Sequence, residues 1–269
     1  MKPNTPDGEK SVPGQMTHDI VPAPLHGPHD CLDPLFGQAR HVSDYASVYD
    51  PETDFDAWLT RFVGRRIAAR LRADDTVLEI GCATGLMTEI LAPRCAHVLG
   101  IERSADYVAR FARRGIANAE AIVADGEDWA DTRRFRHIVA TGMLGNLKRP
   151  ETFLVQCRQR LAAADELHLS VANPRSLHRL AAAEMGLIKD VRDASPVNHV
   201  LGNQNFETGE VIAMAAAGLV CVHREGVLVK PLPNAMMAQL PPDVIEAMDR
   251  IAHFVPEFCA VTYFVFVAG

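Results

Sequence analysis

The chain has 269 residues, 48% of them hydrophobic, and a formal net charge of −7 at pH 7. This length and composition exclude a disordered chain and predict one catalytic domain with modest additions. The acidic balance argues against a nucleic-acid substrate, because a polyanion is held mainly by lysine and arginine. No apolar run approaches the ~20 residues of a membrane span, so no membrane partner is predicted.

The N-terminal segment, residues 1–35, is rich in Pro, Gly, Asp and His and has no apolar periodicity. It predicts a flexible tail ahead of a single domain over residues 36–269. The segment lacks the apolar core of a secretory signal, so a cytoplasmic location is expected. The six cysteines are scattered without a C-x-x-C pair, and neither His223 nor His253 has a neighbouring ligand at metal spacing. Neither a metal site nor a disulfide framework is predicted.

Two tyrosines, Tyr45 and Tyr49, stand four residues apart in the segment 41–50. Two interpretations stay open for them: a helical lid whose phenols contact the substrate, or a pair that anchors this segment to the core. Apolar residues then recur at helical spacing over residues 54–71, which predicts a helix that packs beside the first strand.

A buried strand is predicted over residues 77–80, followed by a turn with Gly81 and Gly85 and then a helix over residues 86–91. In a βαβ unit this arrangement lays a nucleotide-like ligand across the carboxyl end of the strand. A dinucleotide-binding turn that starts at Gly81 needs glycine at 83 and glycine or alanine at 86. The chain has Ala83 and Leu86 there, so NAD is disfavoured.

The charge beside this turn indicates the ligand. Glu79 would repel a pyrophosphate, whereas it would attract the ammonium and sulfonium charges of S-adenosylmethionine (SAM). We therefore predict that Glu79, Gly81, Ala83 and Gly85 bind SAM. The second strand, residues 96–101, ends in Glu102, an acid placed to accept hydrogen bonds from both ribose hydroxyls.

The third predicted strand, residues 119–124, ends at Asp125 and Gly126. A carboxylate there can accept from the adenine amino group while a backbone N–H meets the ring. The fourth strand, residues 135–140, opens into Thr141. All these polar groups follow strand ends, where open α/β sheets bind their ligands.

The remaining elements continue the alternation of strands and helices. Further helices are predicted over residues 104–114, 150–161, 207–217 and 243–253, and further strands over residues 166–172, 220–229 and 261–267. This pattern predicts the α/β class, a Rossmann-like sheet of seven strands with helices on both faces.

The motif VLEIGCATG at 77–85, together with Glu102 and Asp125, resembles the class I SAM-dependent methyltransferases. The resemblance covers roughly residues 57–226 and is greatest to the small-molecule branch related to ubiquinone-biosynthesis O-methyltransferases. It implies a mostly parallel sheet whose last strand is antiparallel. Two departures stand out: Ala83 replaces the motif's middle glycine, and L-G-N-L at 144–147 replaces the L-E-H-L that relatives often carry.

Two insertions, residues 173–205 and 230–258, are predicted to carry helices that form a roof over the active site. His178 is the first candidate for a general base and His199 the second, because an imidazole can take a proton from a hydroxyl. The alternative for His178 is a histidine that caps a helix or binds the backbone. Asn173, Arg175 and Asn234 are predicted to contact the substrate.

The sequence predicts methyl transfer from SAM to a small molecule, with a hydroxyl oxygen favoured as acceptor. In-line displacement from SAM depends mainly on positioning, and a histidine general base is the one further catalytic group considered. Alternatives are N- or C-methylation of a small metabolite, or a SAM-binding protein without catalysis. The two insertions argue against the last, since a bare binding module needs no roof. The sequence specifies neither the acceptor nor the oligomeric state.

Overall fold

The computed structural model describes residue 1 and residues 49–129, 133–193 and 204–269. Within these residues one seven-stranded sheet has the order β3-β2-β1-β4-β5-β7-β6. The strands are β1 (Thr76–Ile80), β2 (His97–Glu102), β3 (Ala119–Val123), β4 (His137–Thr141), β5 (Glu166–Ala172), β6 (Leu219–Val227) and β7 (Val261–Ala268). The predicted strands are confirmed, with ends that differ by no more than two residues.

Six of the seven strands run in the same direction and end at the same edge of the sheet. The pairs β1–β2, β2–β3, β1–β4 and β4–β5 are parallel, whereas β7 is antiparallel to both β5 and β6. The predicted antiparallel last strand is therefore confirmed. We call the edge at which β1 to β5 end the carboxyl edge; β6 ends there too, because it runs parallel to β5. The strand order reverses between β1 and β4, which is where open α/β sheets place their ligands.

Helices cover both faces of the sheet, as predicted. They are α1 (Ala57–Ala68), α2 (Thr88–Leu91), α3 (Ala105–Arg113), α4 (Pro150–Arg160), α5 (Leu177–Glu184), α6 (Thr208–Ala215), α7 (Asn234–Met237) and α8 (Pro242–Arg250). One core joins Leu78 to Phe153 of α4, and the other joins Val77 to Phe62 of α1. Neighbouring strand residues point to opposite faces, so a continuous apolar run such as that in β1 fills both cores.

The helices are shorter than their sequence pattern predicts. The pattern over 54–71 gives α1 only from Ala57 to Ala68, because the Asp54 carboxylate accepts the Asp56 N–H at 2.9 Å and holds a turn before the helix. The helix predicted over 243–253 ends at Arg250 and continues as a 3-10 turn. Apolar periodicity reports which face is buried and not where hydrogen bonding begins or ends.

Both predicted insertions carry helices, α5 in the first and α7 and α8 in the second. Residues 194–203 of the first insertion and the predicted tail, residues 1–35, lie outside the described residues apart from Met1. The domain boundaries therefore stay predictions. Within the described ranges, none of the helices is both long and apolar enough to cross a membrane.

Candidate active site

The turn after β1 has the backbone conformation that its glycines predict. Gly81 and Gly85 have φ of 78° and 84°, in the left-handed region that favours glycine. A Cβ on Gly85 would lie 2.7 Å from the ring of Phe111, so α3 packs directly on this glycine. A Cβ on Gly81 would have only the sulfur of Met143 near it among the described residues, at 3.7 Å. The backbone at Gly81 is therefore open to a ligand.

Ala83 adopts a left-handed conformation without being glycine. Its φ is 47°, which costs an L-residue about 1–2 kcal/mol. The Glu102 carboxylate holds this turn: Oε2 accepts the Ala83 N–H at 3.1 Å and Oε1 accepts the Ser104 N–H at 2.8 Å. The acid at the end of β2 thus lies directly beside the glycine turn.

Glu79 is a buried carboxyl group in β1. It accepts a hydrogen bond from the Thr88 hydroxyl at 2.5 Å, at the start of α2. Burial raises the pKa of Glu79 to about 7, against the smaller opposing effect of the Thr88 hydrogen bond. A positive charge nearby would favour its ionised form.

The other residues predicted to bind the cofactor lie at the ends of β3 and β4. Asp125 is exposed, and its Oδ1 accepts the Glu127 N–H at 2.9 Å. A Cβ on Gly126 would lie 2.4 Å from the Ile80 side chain, so this loop passes close to the end of β1. Thr141 is the last residue of β4. The predicted cofactor residues thus all lie near the carboxyl ends of β1 to β4.

The segment before α1 is fastened to the glycine turn. Arg114 of the α3 C-terminus lies 3.1 Å from Glu52, and its Nε donates to the Thr84 carbonyl at 2.6 Å. The Tyr107 hydroxyl donates to the carbonyl of Tyr49. The backbone at Tyr49 is therefore anchored to the core, which favours the anchoring interpretation for this part of the segment.

Two aspartates precede α1 and form a polar cluster with the second insertion. The Asn234 amide donates to Oδ1 of Asp54 and of Asp56, both at 3.2 Å. Burial raises the pKa of Asp56, and the charge of Asp54 adds to this effect. Burial lowers the pKa of Lys230, although both aspartates oppose the shift. The Oδ1 of Asn234 is buried and has no hydrogen-bond partner among the described residues.

His178 lies beside this cluster, in the first turn of α5. Its backbone N–H donates to the Lys230 carbonyl at 3.1 Å. Its Nδ1 is buried and unpaired within the described part of the chain. Burial lowers the pKa of His178 to about 3, and the charges of Lys230 and Arg179 contribute. The imidazole is therefore neutral at pH 7 and offers a lone pair, although its affinity for a proton is low.

Asn173 and Arg175 are placed differently from each other. Both amide hydrogens of Asn173 are engaged, donating to the carbonyls of Glu257 and Cys259 at 2.8 and 2.9 Å. Its Oδ1 accepts the Arg175 N–H at 2.9 Å. These bonds give Asn173 a structural role at the end of β5. The Arg175 side chain is exposed.

The aspartate pair and its charge interaction with Lys230 were not predicted from the sequence. Asp54 and Asp56 stand where a helix is expected to begin, and acidic residues are common there. Only their charge interaction with Lys230 and their shared hydrogen bonds to Asn234, both far along the chain, indicate another role for them. Tyr45 and His199 lie outside the described residues, so their roles stay predictions.

Comparison with known proteins assigns the family. A family model described as a methyltransferase domain matches residues 54–223, which is more than half of the chain. No curated protein sequence matches the chain significantly.

Several solved structures share the fold. The N-methyltransferase NodS from Bradyrhizobium japonicum WM9, in complex with S-adenosyl-L-homocysteine, is 17% identical with a TM-score of 0.53, covering 85% of this chain and 95% of that one. The CcbJ methyltransferase from Streptomyces caelestis is 15% identical with a TM-score of 0.54, covering 80% and 96%. A putative methyltransferase in complex with the Haloferax volcanii Trm112 activator is also 15% identical with a TM-score of 0.54, covering 80% and 98%.

The resemblance found in the sequence is thereby confirmed at the level of the class, and SAM is the cofactor. The narrower resemblance to ubiquinone-biosynthesis enzymes stays a prediction. Because the methyltransferase-domain match spans most of the sheet and the strand order is that of the SAM-binding fold, the chain belongs to the class I SAM-dependent methyltransferases.

Proposed function

We propose that this enzyme transfers the methyl group of SAM to a hydroxyl oxygen of a small molecule held beneath the two insertions. The observation that carries the proposal is the unpaired Nδ1 of His178, a buried and neutral nitrogen beside Lys230. In the tautomer that leaves Nδ1 without a proton, this nitrogen accepts a hydrogen bond, and a hydroxyl can donate that bond while its oxygen keeps a lone pair for the methyl group. SAM supplies an activated methyl group, which a lone pair of the acceptor displaces in line.

The residues around the glycine turn fit SAM. The open backbone at Gly81 leaves room for a ligand to approach, and we assign Glu102, whose carboxylate accepts the Ala83 N–H, to the ribose hydroxyls. We assign Asp125 and Gly126 to the adenine end and Thr141 to the wall formed by β4. The Glu79 carboxyl group is assigned to the positive end of the cofactor.

His178 acts as a hydrogen-bond acceptor that orients the hydroxyl. With a pKa of about 3, the imidazole does not deprotonate a free alcohol or phenol before attack. A hydroxyl that gains a methyl group becomes an oxonium, which is far more acidic than an imidazolium. A weak base at hydrogen-bond distance therefore suffices to take the proton as the new C–O bond forms.

A second candidate acceptor is an amine. Asp54 and Asp56 bring two carboxylates to one amide, with Oδ1 of each 3.2 Å from Asn234 Nδ2. Two neighbouring carboxylates attract a positively charged group, and an amine is positively charged until it loses its proton. This cluster lies beside His178, so a hydroxyl and an amine would be held at the same site.

The experiment that tests the proposal pairs acceptors of one skeleton that differ only in carrying a hydroxyl or an amine. The protein is incubated with SAM and each acceptor, and S-adenosylhomocysteine is measured together with the position of the new methyl group. We expect methylated oxygen. Methylated nitrogen would establish the second candidate instead. No product above background across such pairs would favour a SAM-binding protein without catalysis.

Glu79 predicts a pH dependence of SAM binding. Because its pKa is about 7 in the free protein, we expect SAM affinity to rise about tenfold from pH 6 to pH 8. The sign follows from charge: the ionised carboxylate attracts the cationic end of SAM, and below the pKa it carries a proton that binding must release. Titration calorimetry at both pH values measures the change. Glu79→Gln should abolish it, and an equal rise in that variant would assign the effect to another group.

A further inference from the structure

A second cluster of chemically reactive side chains lies at the opposite edge of the sheet, where β4 and β5 begin. His137 pairs in register with Glu166, and Val139 pairs with His168, so these three polar side chains share one face. His137 Nδ1 lies 2.9 Å from His168 Nε2 and 3.7 Å from Glu166 Oε2. His168 Nε2 lies 3.5 Å from the same oxygen.

We propose that these three atoms form a binding site for Zn²⁺ or a similar divalent transition ion. A triangle with sides of 2.9, 3.5 and 3.7 Å has a centre about 2.0 Å from each corner. Zinc binds histidine nitrogen and carboxylate oxygen at roughly 2.0–2.2 Å, often with two histidines and one glutamate. The three ligand atoms are thus already at the spacing that such an ion requires.

The outer ring nitrogens of both histidines are held as they are in metal sites. Asp75 Oδ2 lies 3.0 Å from Nε2 of His137, and the Tyr263 hydroxyl lies 2.8 Å from Nδ1 of His168. A metal-binding histidine commonly donates its other N–H to a carboxylate or a similar acceptor, which fixes its tautomer and ring orientation. Asp75 and Tyr263 would act as these orienting groups.

Metal binding is compatible with the protons of the cluster. Without an ion, one consistent arrangement has His137 Nε2–H donating to Asp75, His168 Nε2–H donating to His137, and the Tyr263 hydroxyl donating to His168. His137 Nδ1 then already presents a lone pair. His168 moves its proton from Nε2 to Nδ1, where it donates to the Tyr263 oxygen, and the Tyr263 O–H turns away from the ring. The rearrangement releases no proton from the cluster.

The surrounding charges also accept a cation. Glu166, Asp75 and Asp165 contribute three negative charges, and Arg70 and Arg136 contribute two positive ones, a net charge of −1. Arg70 binds both oxygens of Glu166, with Nε 2.8 Å from Oε2 and Nη2 2.6 Å from Oε1. An ion on Oε2 would displace the Nε contact and leave the Oε1 contact in place.

The position of the site indicates a structural role. The ligands join β4 to β5, and the orienting groups extend the connection to Asp75, just before β1, and to Tyr263 in β7. The cluster lies at the edge opposite to the glycine turn, so the ion would stabilise the sheet and leave methyl transfer unaltered. Binding to the folded state alone raises the free energy of unfolding.

The test uses the full chain without an affinity tag, stripped of metal with a chelator. We expect equilibrium dialysis against Zn²⁺ to give one ion per chain and the melting temperature to rise on binding. Co²⁺ should give the visible absorption bands of a four-coordinate ion, with the three protein ligands and one water bound to it. Failure to bind a stoichiometric ion would overturn the proposal.

Matched variants identify the ligands. Asp75→Asn should lower the affinity for Zn²⁺ about 10–100-fold. Glu166→Gln keeps the shape of a half-buried side chain and should lower this affinity at least as much. His97→Gln, at the start of β2, should bind as the parent does. Far-UV circular dichroism of the metal-free variants shows that they are folded. If both Glu166→Gln and Asp75→Asn bind Zn²⁺ with unchanged affinity, the ion is bound by other histidines and the proposal is overturned.

Discussion

Replacing Glu102 by alanine is expected to weaken SAM binding by a hundredfold or more. The carboxylate is assigned two charge-assisted hydrogen bonds to the ribose, each contributing about 1.5–3 kcal/mol. It also accepts the N–H groups of Ala83 and Ser104, so its loss releases the glycine turn from β2. Ala83 is in a strained left-handed conformation, and the turn is free to relax away from the form that binds the cofactor.

Titration calorimetry with SAM measures this effect. Glu120→Ala is the matched control, because Glu120 is an exposed acid in the neighbouring strand β3 and pairs in register with Leu99. The SAM affinity of Glu102→Gln should lie between those of Glu102→Ala and Glu120→Ala, since the amide oxygen still accepts one hydrogen bond but carries no charge. If Glu102→Ala binds SAM as tightly as the parent, Glu102 does not belong to the cofactor site.

The second large effect concerns His178. We expect His178→Ala to lower kcat by about a hundredfold, the lower end of the range of roughly 10²–10⁴ for a general base. The lower end is expected because the pKa of about 3 makes this imidazole a weak base. The dissociation constant of SAM should stay near that of the parent, since the cofactor is assigned to the turn after β1 and not to α5.

Turnover, SAM affinity and melting temperature are measured on the same preparation. His178→Gln keeps a hydrogen-bond acceptor and should retain more activity than the alanine variant. His253→Ala, which removes an exposed histidine of the second insertion, should behave as the parent. A purely structural His178 predicts a lower melting temperature with unchanged activity per folded molecule.

Activity retained in His178→Ala and lost in His199→Ala would move the base to His199. Activity retained in both variants would favour an amine or an acidic acceptor. In that case positioning alone accounts for the reaction, because neither kind of acceptor needs a protein base to remove its proton during the attack.

The glycine turn and the acid beside it were predictable because the information that specifies them is local. The run before Gly81 is continuously apolar, so it predicts a strand buried on both faces, and the glycines that follow predict left-handed turn positions. Glu102 follows by the same reasoning, since parallel strands bring their carboxyl ends to one edge. The order of the strands then places Glu102 against Ala83, as the hydrogen bond between them shows.

The polar cluster beside His178 depends on contacts between distant parts of the chain. Nothing near Asp54 or Asp56 in the sequence indicates Asn234, and nothing near His178 indicates that burial lowers its pKa to about 3. An imidazole in a sequence is assigned its ordinary pKa, whereas the folded chain removes the water that would stabilise its charged form.

The amino acid sequence by itself determined the class of the fold and the cofactor. The signals for both are local, because the spacing of apolar residues, the spacing of glycines and the sign of a nearby charge can each be read from a few neighbouring residues. Only the tertiary structure decided which side chains meet. His137 and His168 stand 31 residues apart, too far for a metal motif read along the chain, yet adjacent parallel strands bring their ring nitrogens within 2.9 Å. Register across a sheet is set by the packing of whole strands, and sequence spacing does not report it.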